Sequence, residues 1–268
     1  PAADLELYRQ FEREVGALQK LDHPHIVSFF DSFVHGSMPH LVFEFLDGDN
    51  LEDWLEKRGP LTLEETLQIV RQVGSALQAA HQHNIFHRDI KPGNIFLVGD
   101  RALLIDFGLA AALLREGSLT SAGVVIGTLA YVAPEQLEQG KASPASDLYS
   151  LGVVLHEMLM GRKPHEAKSP FRLARQKSTE VHEGLVRSKE IPPVWGEVLT
   201  RCLKARPEAR YQSANDVRRA LERGRPSVRF RFGKPLVWAP VLAATMAVAL
   251  WTGWGWARRD YQPSSQVA

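Results

Sequence analysis

The sequence predicts an α+β fold in which a small strand-containing part precedes a larger helical part, with one transmembrane helix near the end of the chain. Three observations lead to this prediction. Two apolar runs typical of strands flank a turn before residue 50, and apolar residues at helical spacing dominate the second half. Finally, residues 235–257 contain no charged side chain. A chain of 268 residues is long enough to form one large domain or two modest ones.

The first predicted elements are a helix and a pair of strands. Residues 7–18 place apolar side chains at helical spacing, with charged residues between them. Residues 23–46 then contain two apolar, β-branched and aromatic runs separated by Gly36 and Ser37. Such runs on either side of a Gly-Ser pair predict two strands joined by a turn.

Helices and a second hairpin follow. Residues 51–84 predict a helix, a Gly-Pro turn and a long helix that begins with a capping box at residues 62–65. Residues 94–108 predict a short hairpin of two apolar strands. After a loop over residues 109–133, the chain is expected to be mostly helical to about Leu221.

The uncharged run at residues 235–257 predicts a single transmembrane helix. About 20 apolar residues cross a hydrocarbon core, and tryptophans lie near both ends of the run, as in interfacial belts. Because seven basic residues precede the run and two follow it, the positive-inside rule places residues 1–222 in the cytoplasm and residues 258–268 outside. The basic linker, residues 223–234, is expected to meet anionic lipid of the bilayer. The alternative is a buried helix of a soluble fold.

Charge and cysteine content exclude several functions. The net charge of +1 combines the basic linker with an acidic body, since residues 1–217 hold six more acidic than basic side chains. An acidic body with one basic strip argues against nucleic-acid binding. Cys202 is the only cysteine, so an internal disulfide is impossible. His81 and His83 stand two residues apart and do not share a helix face, so they do not predict a metal site.

Four motifs occur in order along the chain. They are HRDIKPGN at residues 87–94, DFG at 106–108, GT followed by APE within 127–135, and SDLYSLG at 146–152. Each short motif is weak evidence alone, but the order and spacing of all four resemble the protein-kinase signature set. The details are similar to bacterial eukaryotic-like (Hanks-type) serine/threonine kinases, and the resemblance covers about residues 5–221.

This resemblance implies a protein-kinase-like, two-lobed fold in residues 1–222, with a mostly helical C-lobe and an incomplete N-lobe. It also implies transfer of the ATP γ-phosphate to Ser or Thr hydroxyls of protein substrates. Asp89 would accept the hydroxyl proton, and Lys91 would lie near the transferred phosphate. Asn94 and Asp106 would hold Mg²⁺ or Mn²⁺, because these cations prefer oxygen ligands. Lys91 is also the pattern of serine/threonine rather than tyrosine kinases.

The resemblance further implies a nucleotide site between the lobes. Glu14 falls where the family's αC helix carries the Glu that pairs with the ATP-positioning Lys; its alternative is a solvated helix residue. Phe43 would be the gatekeeper residue, and backbone groups of Glu44 and Leu46 would pair with the adenine edge. Phe96 would form part of the adenine floor.

Other residues would support the site. The apolar flanks of HRDIKPGN, residues 85–86 and 95–96, would anchor the catalytic loop. The remaining roles implied by the resemblance are an internal apolar stack of Leu18, His87 and Phe107, a backbone anchor of the loop at Asp147, and an ion pair of Glu135 with Arg210.

Regulation is expected in the loop between the DFG and APE motifs. Arg88 precedes the catalytic Asp, which in the family marks kinases whose loop phosphate pairs with that Arg. Thr120 is the predicted phosphosite, against the alternative of an unmodified loop residue. Thr128 resembles the Thr that docks substrate and contacts the catalytic Asp and Lys.

The family's glycine-rich loop and its ATP-positioning Lys have no counterpart in this sequence, because residues 1–13 contain neither Gly nor Lys. Two interpretations compete: a fragment of a complete kinase, which is the preferred expectation, or a catalytically inactive pseudokinase acting as a membrane-tethered binding module. A receptor that senses signals outside the membrane is disfavoured, because residues 258–268 are too short to fold alone. A homodimer is possible.

Overall fold

The computed structural model describes residues 15–35, 38–107, 129–165, 170–178 and 191–223. All of them belong to the first of two units into which the chain divides, Pro1–Phe230 and Arg231–Ala268. Several predictions therefore lie outside the described residues, namely those for Glu14, Thr120, Thr128, the turn at Gly36 and Ser37, the linker beyond Arg223 and the span at 235–257.

The strand-containing part begins with a short helical stretch at residues 15–18. Two antiparallel strands follow, β1 (Phe29–His35) and β2 (Met38–Phe43), with Phe29 opposite Phe43. Their predicted existence and order are confirmed. Most of their side chains are exposed, including Phe30 at 65% and Met38 at 66%.

A second sheet joins the two parts of the fold. It has the antiparallel order β3 (Asp49–Asn50), β4 (Ile95–Val98) and β5 (Arg101–Leu104). The last two strands are the predicted hairpin. Backbone bonds from Val27 N–H to Leu104 C=O (3.0 Å) and from Leu104 N–H to His25 C=O (2.9 Å) connect this hairpin to the chain ahead of β1.

Two helices lie between β3 and β4 in the sequence, α1 (Leu51–Arg58) and α2 (Leu63–Gln82). The predicted capping box at the start of α2 is confirmed, since Glu65 N–H donates to Thr62 Oγ1 and Thr62 N–H donates to the Glu65 carboxylate. One side of α2 is buried, because its apolar residues recur at helical spacing.

The helical part continues with five helices among the described residues: α3 (Pro134–Gln139), α4 (Pro144–Met160), α5 (Pro170–Ser178), α6 (Pro193–Cys202) and α7 (Ala214–Glu222). Short 3₁₀ turns occur at Pro92–Asn94 and Pro207–Ala209. Helix α4 is buried along nearly its whole length, so the core lies around it. A Cβ at Gly152 would stand 2.6 Å from Cys202 Cβ, which shows how closely α4 and α6 approach.

Within the described ranges, every helix is too short or too polar to cross a bilayer. The predicted transmembrane helix falls in residues that the structure does not describe.

Candidate active site

Two polar side chains of the catalytic loop, the segment between α2 and β4, converge on the carboxylate of Asp89. Lys91 Nζ donates to Asp89 Oδ2 at 2.7 Å, and Asn94 Nδ2 donates to the same oxygen at 3.0 Å. Asn94 Nδ2 also donates to the Asp89 backbone carbonyl at 2.8 Å. The side chains of Asp89 and Lys91 remain about a quarter exposed. The loop therefore presents an oriented carboxylate that a solute can reach.

The loop is held from below by the buried carboxylate of Asp147 on α4. Asp147 Oδ2 accepts from His87 N–H at 2.9 Å, and Oδ1 accepts from Arg88 N–H at 2.9 Å. His81 Nε2 donates to Oδ2 at 2.8 Å. This is the backbone anchor expected of Asp147, with His81 as a third donor that sequence reasoning missed. The only signal was a His near the end of α2, and nothing local connected it to a residue 66 positions later.

The apolar flanks contribute less to this anchoring than expected. Ile95 is fully buried, but Ile85, Phe86 and Phe96 are only partly buried. Within the loop itself, Ile90 is fully buried. Ile90 and the Asp147 carboxylate therefore hold the loop more than its partly exposed flanks do.

His87 is a buried neutral imidazole. Its Nε2 donates to Ile105 C=O at 2.9 Å, and its Nδ1 accepts from Asp89 N–H at 3.4 Å, so one neutral tautomer satisfies both nitrogens. Burial lowers the pKa of His87, with Asp147 and the Ile105 carbonyl opposing that shift. The ring lies 4.6 Å from Phe107, centroid to centroid. Leu18, the third member of the expected stack, is buried as well.

Two site residues adopt left-handed backbone conformations that favour glycine. Arg88 has φ of 70° and Asp106 has φ of 58°. Each such conformation in a non-glycine residue costs about 1–3 kcal/mol and persists only where the surroundings impose it. At Arg88 the surroundings are known, because its N–H is bound to Asp147.

Asn94 and Asp106 offer the oxygen ligands that a magnesium ion requires. Ile105 N–H donates to Asn94 C=O at 3.1 Å, which keeps the DFG motif beside the catalytic loop. The Asn94 amide nitrogen donates both of its hydrogen bonds to Asp89, which leaves the Asn94 Oδ1 as the atom that can bind a cation. Asp106 is exposed. Among the described residues, no hydrogen bond occupies Asn94 Oδ1 or the Asp106 carboxylate, so this donor set fits a hard divalent cation.

The predicted adenine-binding residues lie at the end of β2 and on β4. Phe43 and Phe29 contact edge to face, with centroids 5.7 Å apart. The N–H of Glu44 already donates to Ser28 C=O at 2.8 Å, so only the carbonyl of Glu44 can pair with an adenine edge. Leu46 and Phe96 are partly buried, and their roles in adenine binding stay predictions.

The ion pair expected between Glu135 and Arg210 is present and buried. Arg210 donates from both terminal nitrogens to the two Glu135 oxygens, at 2.7 and 2.8 Å. The Arg210 side chain has no exposed surface, and its remaining donors bind the carbonyls of Ala145, Lys204 and Ala205. A bidentate pair with all donors satisfied stabilises α3 against the turn before α7.

The family model described as the protein kinase domain matches residues 2–220 of the chain. The chain belongs to the protein kinase family. Among curated relatives, the serine/threonine-protein kinase PknB of Mycolicibacterium smegmatis is 37% identical over 232 residues, covering 83% of this chain and 37% of that protein. The serine/threonine-protein kinase PrkC of Bacillus subtilis is 35% identical over 219 residues, covering 81% of this chain and 34% of that protein. The chain thus spans little more than a third of these relatives.

A solved kinase structure also resembles this one. The crystal structure of Rad53 1-466 in complex with AMP-PNP matches with a TM-score of 0.66 and 28% identity, covering 78% of this chain and 53% of that one. Together with the family match, this confirms the expected protein-kinase-like fold of the chain.

Proposed function

We propose that this chain forms the catalytic part of a protein serine/threonine kinase, which transfers the ATP γ-phosphate to Ser or Thr hydroxyls of proteins. The observation that carries the proposal is the cluster of Asp89, Lys91 and Asn94 on a loop anchored by Asp147. Phosphoryl transfer requires the protein to position the reactants and to stabilise charge, and it does not require covalent participation by the protein. This cluster supplies both the positioning and the charge.

The residues divide the work as follows. Asp89 orients the substrate hydroxyl and takes its proton as the hydroxyl oxygen attacks the γ-phosphorus and ADP leaves. Lys91, 2.7 Å from Asp89, keeps that carboxylate oriented and places a positive charge beside the transferred group. A divalent cation held by Asn94 and Asp106 would neutralise phosphate charge. The glutamate carbonyl at residue 44 and the N–H of Leu46 would bind the adenine edge.

The preference for Ser and Thr over Tyr rests on Lys91 and on the relatives. PknB and PrkC are both named serine/threonine-protein kinases. The proposal is tested by incubating the protein, expressed from its complete reading frame, with radiolabelled ATP, Mg²⁺ and a generic protein substrate. Acid hydrolysis should yield labelled phosphoserine and phosphothreonine, and labelled phosphotyrosine alone would contradict the assignment.

The metal role of Asp106 is tested in the same preparation. Asp106→Asn should weaken Mg²⁺-dependent nucleotide binding, because a neutral amide would replace the carboxylate among the two side chains that would hold the cation. Asp100→Asn, an identical change in an exposed turn, serves as the control. Equal nucleotide affinity in Asp106→Asn and the control would count against the metal role.

A second candidate function is that of a catalytically inactive binding module. It predicts that the protein expressed from its complete reading frame binds nucleotide or a partner but transfers no phosphate. The transfer experiment above therefore separates the two functions.

We also propose that residues 235–257 anchor the protein in the membrane once, with the kinase part in the cytoplasm. The support is the uncharged run, its terminal tryptophans and the basic residues before it. A charged residue at the centre of a span costs about 2.5–3.5 kcal/mol on insertion scales. Leu242→Arg with Val248→Arg should therefore release the protein from salt-washed membranes, whereas Leu242→Val with Val248→Leu should not. Wild-type protein in the soluble fraction would contradict the span.

Regulation by loop phosphorylation is proposed on one further observation. Arg88 Nε is buried, and among the described residues no acceptor lies within hydrogen-bond distance of it. A phosphate on Thr120 would supply charged acceptors for this guanidinium. Thr128, which directly precedes the described range 129–165, would dock the substrate hydroxyl next to Asp89.

A further inference from the structure

The segment of residues 129–132 lies beside the catalytic loop. It leads into α3, where Gln136 Nε2 donates to Arg88 C=O at 3.4 Å. The Tyr131 hydroxyl donates to Glu157 at 2.7 Å and also feels the charge of Glu52. The Glu52 carboxylate in turn stands next to Gly93 of the catalytic loop, where an added Cβ would lie 2.9 Å from it. The segment therefore flanks the loop that carries Asp89.

Three backbone carbonyls of the segment point at one side chain. Lys177 on α5 donates from Nζ to the carbonyls of Leu129 at 2.9 Å, Ala130 at 2.7 Å and Val132 at 2.5 Å. The lysine is fully buried. Since an ammonium group carries three N–H donors, the three carbonyls use all of them. The shape of the segment is thus tied to the position of α5.

Among the described residues, the carboxylate whose charge acts on Lys177 is that of Glu135. Glu135 on α3 is already bound by both terminal nitrogens of Arg210. The Tyr149 ring on α4 lies under Lys177 Nζ at 5.3 Å and under the Arg210 guanidinium at 4.9 Å. Burial lowers the pKa of Lys177 to about 7, Arg210 shifts it in the same direction, and Glu135 opposes the shift. The carbonyls and the ring face therefore carry the stabilisation of the ammonium form.

We propose that Lys177 is a positioning residue that holds residues 129–132 in the shape that receives the protein substrate, and that this hold requires its ammonium form. A neutral amine has two N–H groups and a lone pair, so deprotonation would leave one carbonyl facing that lone pair. The segment would then relax away from the shape that receives substrate. This inference rests on the proposed kinase function. It adds Lys177 of α5 to the residues that shape the substrate-binding surface.

A rise in pH should change the free energy of unfolding and the binding of protein substrate in opposite directions, so the two effects can be measured separately. Between pH about 7 and 10.5 the folded protein binds fewer protons at Lys177 than the unfolded chain. This group therefore makes the free energy of unfolding rise with pH over that interval. Substrate docking should weaken over the same interval. A rise in KM for the protein substrate above pH 7 is then not a sign of global unfolding.

The test compares Lys177→Met with Arg172→Met, which removes an exposed cation from the same helix. Both are made in the protein expressed from its complete reading frame. Lys177→Met should raise KM for a protein substrate about tenfold, as expected from losing hydrogen bonds of a charged donor. KM for ATP should stay within about twofold of wild type, and Arg172→Met should change neither constant.

Wild-type protein supplies a second measurement that needs no substitution. With a substrate peptide free of His and Cys, KM for the peptide should rise as pH increases through about 7, while KM for ATP stays constant. If Lys177→Met does not fold, the pH dependence of the wild-type KM for the peptide tests the role of Lys177 instead. A flat peptide KM from pH 6 to 9, or an unchanged peptide KM in folded Lys177→Met, would overturn the role of Lys177. Absence of transfer by the wild type would instead overturn the proposed function, and the inference with it.

Discussion

Replacing Asp147 by Asn is the most informative perturbation of the catalytic loop. The wild-type carboxylate accepts three hydrogen bonds, from His87 N–H, Arg88 N–H and His81 Nε2–H, at 2.8–2.9 Å. Asp147 is almost completely buried. An Asn has one acceptor oxygen and one donor nitrogen. Whichever way the amide is turned, its nitrogen faces at least one N–H group of the loop or of His81.

The cost follows from these contacts. One buried N–H is left without an acceptor, which costs about 1–3 kcal/mol, and the surviving bonds lose the roughly 1 kcal/mol each that a charged acceptor adds. Asp147→Asn should therefore lower the free energy of unfolding by about 3–5 kcal/mol, the range typical of an uncompensated buried charge partner. Arg88 should then leave its left-handed conformation, because the bond that imposes it is broken.

Urea unfolding of the full chain, followed by far-ultraviolet circular dichroism, measures this change. The control is Asp100→Asn, the same substitution in an exposed turn, which should stay within about 0.5 kcal/mol of wild type. A double-mutant cycle with His81→Phe should give a coupling energy above about 0.5 kcal/mol, since the two side chains are in contact. A loss below about 1 kcal/mol in Asp147→Asn would refute this account of the loop.

Two further predictions concern the ion pair and the loop phosphosite. Arg210→Met should lower the free energy of unfolding by about 3–5 kcal/mol, because it leaves the largely buried Glu135 carboxylate without its partner. The double variant Arg210→Met with Glu135→Leu should recover part of that loss in the same urea titration. Recovery of nothing would show that the carbonyl bonds of Arg210 matter more than the pair. Thr120→Ala should lower phosphate transfer by removing the partner proposed for Arg88, whereas Ser121→Ala should not. Equal activity of the two alanine variants would rule out Thr120.

Much of the site was predictable because its residues sit in motifs whose chemistry is local. Asp89, Lys91 and Asn94 lie within six residues of one another, so their spacing in sequence already limits their distances in space. The capping box at Thr62 and Glu65 was equally accessible, since both of its hydrogen bonds span three residues. The roles of these site residues in catalysis stay predictions.

The contacts that sequence reasoning missed are long-range. His81 contacts Asp147 across 66 positions, and the Lys177 contacts span 45 to 48 positions. Lys177 stands in the polar run FRLARQK, where a lysine predicts a solvated helix face. It is buried only because α5 packs on the segment after the DFG loop. Tertiary packing therefore decided the environment of both residues.

The central claim is that Asp89 is the base of a phosphoryl transfer, and one substitution tests it most directly. Asp89→Asn keeps the size of the side chain and, with its oxygen in the place of Oδ2, the hydrogen bonds from Lys91 and Asn94, but it removes the charge that takes the proton. The measurement is transfer of radiolabelled phosphate to a protein substrate under saturating ATP, with nucleotide affinity measured in parallel. The account predicts a rate at least about a hundredfold below wild type with nucleotide affinity unchanged. A variant that keeps more than about a tenth of the wild-type rate would contradict it.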